Sequence, residues 1–500
     1  MTTTVTSDHA DGDDPQARLD PLLDAAVAAA PVLAASAPGE RAGWLRAVAT
    51  ALEDAAPTLL PLAREESHLP EARLSGELAR TCFQLRLLAD EITLGGYLGA
   101  TIDHADPDWG MGPRPDLRRM MRPLGPVAVW AASNFPFAFS VAGGDTASAL
   151  AAGCPVVLVA HPGHPTLSDA TAEVVTGALT RAGAPDGTFA MTRGLETGRA
   201  LIQDPRVTAG AFTGSLGGGR ALFDLAVSRP VPIPFYGELG SVNPAFVTRG
   251  TSESRAVEVA DGFVASMTMG AGQFCTKPGL LVVPRGSSVI DLVAERVAVM
   301  GGSPLLTDRI REGYGSALSA LAGRDGVEVV AGSSSPGDEP APTVLRSTAA
   351  ALLEDDRLAE EVFGPAALVV EYDSDDELLA VASGVAGQLT ATVCGDADDA
   401  VVERLLTTLA GRVGRVLLGG WPTGVTVSYA QQHGGPYPAT TAVGTTSVGT
   451  AAIGRFVRPV AYQGVPEALL PPALQDANPW GVPQRVDGRD DGPEVGQSRP

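Results

Sequence analysis

From residue 124 onward, short apolar runs alternate with helical segments, and nothing else in this chain restricts its fold as much. "GPVAVWA", "CPVVLVA", "TFAM" and "VTAGAFTG" read as strands. Between them, "SVAGGDTASALAAG", "LSDATAEVVTGALTRAG" and "ETGRALIQDP" carry helical spacing. Strands linked through helices lie parallel and are covered on both faces, so they are continuously apolar instead of alternating. The pattern resumes after residue 240 with "VNPAFV", "GLLVVP", "QLTATVC" and "VGRVLLGG". The fold class expected is α/β, in two units, because 500 residues exceed one simple core.

The flanks are different. Residues 1–15 are acidic and polar and are expected to be disordered. Residues 16–98 show helical periodicity cut by Pro31, Pro38, Pro57, Pro61 and Pro70. Turn formers dominate 100–125, which suggests an extended arm or hairpin. The expected division is a first unit over 16–240, a second over 241–430, a return segment over 431–470, and a polar, proline-rich tail over 471–500.

Charge and cysteine usage exclude several functions. A net charge of −23 argues against nucleic acid or an anionic membrane as partner. No uncharged apolar run approaches the roughly 18 residues of a membrane span, and the N-terminus does not look like a signal peptide. Four widely spaced cysteines without a CxxC pair suit a reduced, cytoplasmic protein. Lys277 is the one lysine in the chain.

Five stretches hold candidate chemistry. In "MTMGAGQFCTKPGLLVV", small residues precede Cys275, which allows a ligand close to the thiol, and Lys277 would favour a thiolate. Taken alone, a cysteine is more often a small packed hydrophobe, and it is this context that argues for a nucleophile. In "FYGELGSVNPAFV", Glu238 stands among apolar neighbours, where desolvation would raise its pKa toward that of a general base; a solvated loop glutamate is the alternative. In "WAASNFPFAF", Asn134 follows a strand and can donate to an oxyanion, or simply cap a turn. "AFTGSLGGGR" runs from strand to helix through Gly214, Ser215 and Gly219, a possible phosphate cradle that is not the GxGxxG fingerprint. "EEVFGP" sets Glu361 and Phe363 before a Gly-Pro turn. "HPGHP" brings His161 and His164 close with no carboxylate or cysteine beside them, so no metal site is expected.

Taken together and in order, "SNFPFAFSVAGGDTASALAAGCPVV", "FTGSLGGG", "GELGSVNP", "GAGQFCTKPG", "EEVFGP" and "QQHGGPYPATT" resemble the aldehyde dehydrogenase superfamily over about residues 16–470. The first and last resemble the branch of α-ketoglutaric semialdehyde (2,5-dioxovalerate) and NADP-dependent fatty aldehyde dehydrogenases. The resemblance implies a Rossmann-like cofactor domain, an α/β catalytic domain and a small oligomerisation arm. It implies Cys275 as nucleophile, forming a thiohemiacetal and then a thioester, with Asn134 and the Cys275 N–H as oxyanion donors. Glu238 would activate the hydrolytic water. NAD or NADP would lie on Gly214, Ser215 and Gly219, with Glu361 and Phe363 holding its nicotinamide end. A small aldehyde substrate and a homodimer or homotetramer are implied as well.

The chain departs from the family at one point. The family's usual lysine at the end of its V-V-x-K strand is Val159 here. Losing that charged hydrogen bond should cost about 1.5–3 kcal/mol, roughly 10- to 100-fold in cofactor affinity, and NADP should suffer more than NAD. A catalytically impaired scaffold on the same fold, or a CoA-acylating enzyme, are the alternatives; Glu238, a base for water, disfavours the latter.

Overall fold

In a computed structural model, residues 14–490 are described; all but the last two positions of the acidic start expected to be disordered lie outside that range. Asp14 caps the first helix, accepting from the Gln16 N–H at 3.0 Å. Helices Pro15–Ala35, Pro38–Asp54, Ala56–Ser67 and Glu71–Leu94 build the N-terminal layer. Pro38 and Pro57 sit in first turns, where a missing N–H costs nothing. Pro31 and Pro61, expected to interrupt, lie inside helices instead. An interior proline costs about 3 kcal/mol, but Leu19, Leu23 and Leu33 are buried on one face of the first helix, at roughly 1.5–3 kcal/mol each.

The first sheet is five-stranded and parallel, in the order Phe189–Thr192, Val156–Val159, Val127–Trp130, Ala209–Thr213, Phe235–Glu238. The C-terminal ends of the last three strands are neighbours. Asn134, the Gly214–Ser215 turn and Glu238 therefore emerge along one edge, where parallel sheets gather their ligands. The second sheet has seven strands: Glu328–Ala331, Thr343–Thr348, Ala366–Tyr372, Leu280–Pro284, Ala245–Val247, Gln388–Cys394 and Val413–Leu418. Only its first strand runs antiparallel to its neighbour. The aldehyde dehydrogenase-like α/β architecture implied by the sequence is the one observed.

A third sheet joins Val457–Gln463, Leu117–Pro123, Ala100–Asp103, Gln484–Val486 and Arg489–Asp490. The 100–125 arm is an antiparallel pair with Trp109 and Met111 exposed near its tip. Order extends to residue 490, further than the polar composition of the tail suggests, because Gln484–Val486 pairs with Ala100–Ile102. No described helix is long and apolar enough to cross a membrane.

Between the first two sheets the chain turns through residues 239–244, and Gln388 holds that turn. Its Oε1 accepts from the Val242 N–H at 2.6 Å, the Asn243 N–H at 3.1 Å and the Ser241 hydroxyl at 3.0 Å. Asn243, with φ at 55°, passes the order on: its Nδ2 donates to the Cys275 carbonyl at 2.8 Å and the Lys277 carbonyl at 2.9 Å. Gln388→Ala leaves two buried backbone N–H groups unpaired. It should lower the unfolding free energy by about 2–4 kcal/mol in urea titrations.

Candidate active site

Glu238 ends its strand at 3 % exposure, and its backbone carbonyl accepts from the Gly214 N–H at 3.0 Å. Its side chain meets His433: Nε2 lies 2.8 Å from Oε1. Ser447 Oγ donates to Oε2, and Cys275 completes the group: its Sγ, a carboxylate oxygen of Glu238 and a ring nitrogen of His433 lie within 4.8 Å of one another. Burial alone would raise this acid. The charge of His433, with hydrogen bonds from His433, Ser447 and Cys275, outweighs burial and holds Glu238 below the ordinary glutamate range. The raised pKa expected from apolar neighbours is thus corrected, because the sequence did not show three donors arriving from distant segments.

Cys275 follows a tight 3₁₀ turn, Met269–Gly272, in which Gly270, Ala271 and Gly272 all have φ between 54° and 69°. A Cβ on Gly272 would stand 2.2 Å from the Gly364 carbonyl oxygen, so only glycine lets this loop touch the Gly-Pro turn after Phe363. Cys275 Sγ lies 3.4 Å from His433 Nε2. Burial and then the charge of Glu238 push the thiol well above its usual pKa, so it is a protonated thiol at rest with its base alongside. Lys277 does not favour the thiolate as its proximity in sequence suggested. Its Nζ turns away and donates to the Val362 and Ala366 carbonyls at 2.8 and 2.7 Å. Burial lowers its pKa, Glu361 pulling it back.

Asn134 is brought to the same place. Its Nδ2 donates to the Gln273 carbonyl at 3.1 Å, two residues before Cys275. The other amide hydrogen has no acceptor among the described residues and can donate to an oxyanion. The helix Glu71–Leu94 clamps this loop: Glu77 Oε1 accepts from the Phe137 and Ala138 N–H groups at 2.8 and 3.0 Å, and Arg73 donates to the Asn134 carbonyl at 2.9 Å.

The residues expected at a cofactor divide into two groups. Ser215 caps the helix Leu216–Ser228, accepting from the Gly218 N–H at 3.3 Å; Gly214 and Ser215 are exposed and Gly219 is buried against Leu239. A helix N-terminus that opens to solvent beside exposed glycines fits a pyrophosphate. Glu361 reaches back to the 239–244 turn, where a Cβ on Gly240 would lie 2.6 Å from its Oε2 and the Ser241 N–H donates to it. Burial raises its pKa and Lys277 offsets part of that. Phe363 is half-buried one residue before Gly364. Val159 is buried in an apolar cluster with Trp130 and Leu201, and nearby Arg193 is paired with Asp169. His164 is bonded to Ser168 at 3.0 Å and to the Ala132 carbonyl at 3.1 Å, so "HPGHP" is structural.

Sequence reasoning gave no role to His433, Ser447, Arg73 or Glu77. His433 carried a faint signal: one of six histidines, in the uncharged run "QQHGGPY". Nothing in the sequence pointed to the others.

A thiol, a carboxylate and an amide donor converge at the edge of a parallel sheet with an open helix N-terminus, a set that suits a cysteine-dependent oxidoreductase. Residues 3–436 match the aldehyde dehydrogenase family, and the chain belongs to it. It is 43 % identical over 457 residues to "Alpha-ketoglutaric semialdehyde dehydrogenase 2" of Azospirillum brasilense, covering 90 % of this chain and 87 % of that one. To "Alpha-ketoglutaric semialdehyde dehydrogenase" of Acinetobacter baylyi it is 41 % identical over 461 residues, with the same coverage. Its fold is similar to that of lactaldehyde dehydrogenase from Escherichia coli, with a TM-score of 0.76 at 21 % identity over 90 % of this chain and 91 % of that one. 1-Pyrroline-5-carboxylate dehydrogenase from Thermus with bound NAD gives a TM-score of 0.75 at 21 % identity, covering 89 % and 85 %.

Two pH effects follow from this cluster. Alkylation of Cys275 by iodoacetamide should still accelerate above the ordinary thiol pKa of about 8.5, because burial and Glu238 disfavour the thiolate. In His433→Asn, burial dominates at Glu238 and its pKa rises. The acid limb of kcat/KM should then move to higher pH; an unmoved limb would separate His433 from the base.

Proposed function

We propose that this protein oxidises α-ketoglutaric semialdehyde (2,5-dioxovalerate), or a closely related small aldehyde, to the carboxylic acid with NAD or NADP. The observation that carries the reading is the contact of Cys275 with both His433 and Glu238. The two relatives above 40 % identity support the substrate.

As the Cys275 sulfur attacks the aldehyde carbon, its proton passes to Glu238, beside the thiol. The Asn134 amide and the Cys275 N–H hold the oxygen of the thiohemiacetal. The nicotinamide, when bound, supplies the hydride acceptor. Glu238 gives that proton up to solvent before the second step; it then takes a proton from the water that attacks the thioester and returns it to the departing Cys275 sulfur, while His433 and Ser447 hold its carboxylate in line. A water-activating base in contact with the nucleophile favours acid over a CoA thioester as product.

Gly214, Ser215 and Gly219 would receive the pyrophosphate, and Glu361 and Phe363 the nicotinamide end. With Val159 apolar and Arg193 paired to Asp169, no lysine or free guanidinium stands ready there for a 2′-phosphate, which favours NAD. A homodimer or homotetramer joined through the 100–125 arm would cover Trp109 and Met111. The free cysteines suit the cytoplasm.

Stopped-flow measurement of NADH tests the chemistry. Cys275→Ser should abolish both burst and turnover. Glu238→Gln, which removes the base of both steps, should slow the burst as well as steady-state turnover, each by about 10²- to 10⁴-fold. Loss of NADH production from every semialdehyde by a folded wild-type protein would overturn the reading. Val159→Lys should tighten NADP by about 10- to 100-fold, measured by fluorescence titration.

A further inference from the structure

Three arginines approach the nucleophile, and they are not equivalent. Arg73 is committed: it donates to the Asn134 carbonyl, lies 3.8 Å from Glu77 and rests on the Phe135 and Phe274 rings at 4.7 and 4.4 Å. Arg80, on the same helix, and Arg415, in the strand Val413–Leu418, have no ion-pair partner among the described residues. The charges of both act on Cys275.

Both guanidiniums grip one loop. Arg80 Nε and Nη2 donate to the Val425 carbonyl at 3.3 and 3.2 Å. Arg415 Nη2 donates to the Pro422 carbonyl at 2.8 Å, and its two Nη atoms reach the Gly424 carbonyl at 3.5 and 3.4 Å. The loop in turn is tied to the nucleophile, since the Gly424 N–H donates to Thr276 Oγ1 at 3.2 Å. Two N–H groups are left over: Arg80 Nη1 and Arg415 Nε are buried and have no acceptor. The charges of Glu77 and Glu238 act on Arg80, but neither carboxylate is hydrogen-bonded to it: Glu77 Oε1 and both Glu238 oxygens bond elsewhere, and Glu77 Oε2 is buried without a hydrogen-bond partner.

A row of rings runs from His433 to the guanidinium of Arg80. Phe139 lies 6.5 Å from His433 and 5.3 Å from Phe135, which meets Phe274 at 5.1 Å; Arg80 stands over Phe139 at 5.3 Å. A substrate with its aldehyde at Cys275 would lay an apolar middle on these rings and end beside the two half-buried guanidiniums. A neutral alkyl chain would leave their spare N–H groups without an acceptor, whereas a carboxylate would supply one.

We propose that Arg80 and Arg415 form the carboxylate subsite of the active site, so that the enzyme selects short aldehydes carrying an anionic far end. This deepens the proposed function and rests on its assignment of Cys275 as nucleophile.

The test compares glutarate with its neutral diamide, glutaramide, on the wild-type protein. Glutarate should slow iodoacetamide alkylation of Cys275 and compete with aldehyde at least tenfold more effectively than glutaramide; equal effects would overturn the proposal. The second arm measures kcat/KM for 2,5-dioxovalerate, succinic semialdehyde and pentanal in Arg80→Met and Arg415→Met. The ratio of anionic to neutral aldehyde should fall by about 10- to 100-fold in each. A ratio within threefold of wild type in both variants would overturn the subsite while leaving the dehydrogenase reading intact. Arginine-dependent turnover of succinic semialdehyde but none of 2,5-dioxovalerate would do the reverse. Should Arg80→Met not fold, Arg415→Met and the glutarate comparison decide.

Discussion

The carboxylate of Glu238 is the point on which the rest of this site depends. It is buried, yet it stays ionised because His433 and Ser447 supply donors from a segment some two hundred residues away. An uncompensated carboxylate in that position would take up a proton and lose its basicity. Its negative charge also keeps Cys275 protonated until attack. One ionised acid thus restrains the thiol at rest and, in the proposed mechanism, serves as base in both half-reactions.

The geometry is sustained by small residues and backbone bonds at the seam between the two sheets. Gly272 permits van der Waals approach to Gly364, and Gly240 permits approach of Glu361. Gln388 and Asn243 tie the seam to the carbonyls of Cys275 and Lys277. Lys277, in turn, bonds the nucleophile loop to the 362–366 segment that follows Glu361. The chain's one lysine is therefore a tie between the nucleophile and the cofactor loop, and its place two residues from the cysteine reflects that structural duty.

Electrostatics around the sulfur are asymmetric. The charges of Glu238 and Glu361 act against the thiolate, while those of Arg80 and Arg415 attract it. In the proposed subsite an acidic protein, with its net charge of −23, would receive an anion through this local field and not through the sum over the surface.

Much of the fold was legible because parallel strands write themselves as continuous apolar runs, as "CPVVLVA" and "GLLVVP" do. The motif residues Cys275, Glu238 and Asn134 were legible because each sits at a strand or turn boundary beside glycine, proline or apolar neighbours. Their protonation states were not, since these depend on partners remote in sequence. His433, Ser447 and Arg80 stand 158, 172 and 195 positions from Cys275 and have no local pattern of their own. The sequence by itself determined the alternation of strand and helix, the family and the candidate residues that the structure brings together, because those reside in local spacing and residue type. Only the tertiary structure decided that Glu238 is held ionised, that Lys277 faces away from the thiol and that two arginines are left without counter-ions. Hydrogen bonding and desolvation act through space, and no local pattern in the chain records which distant segments will meet.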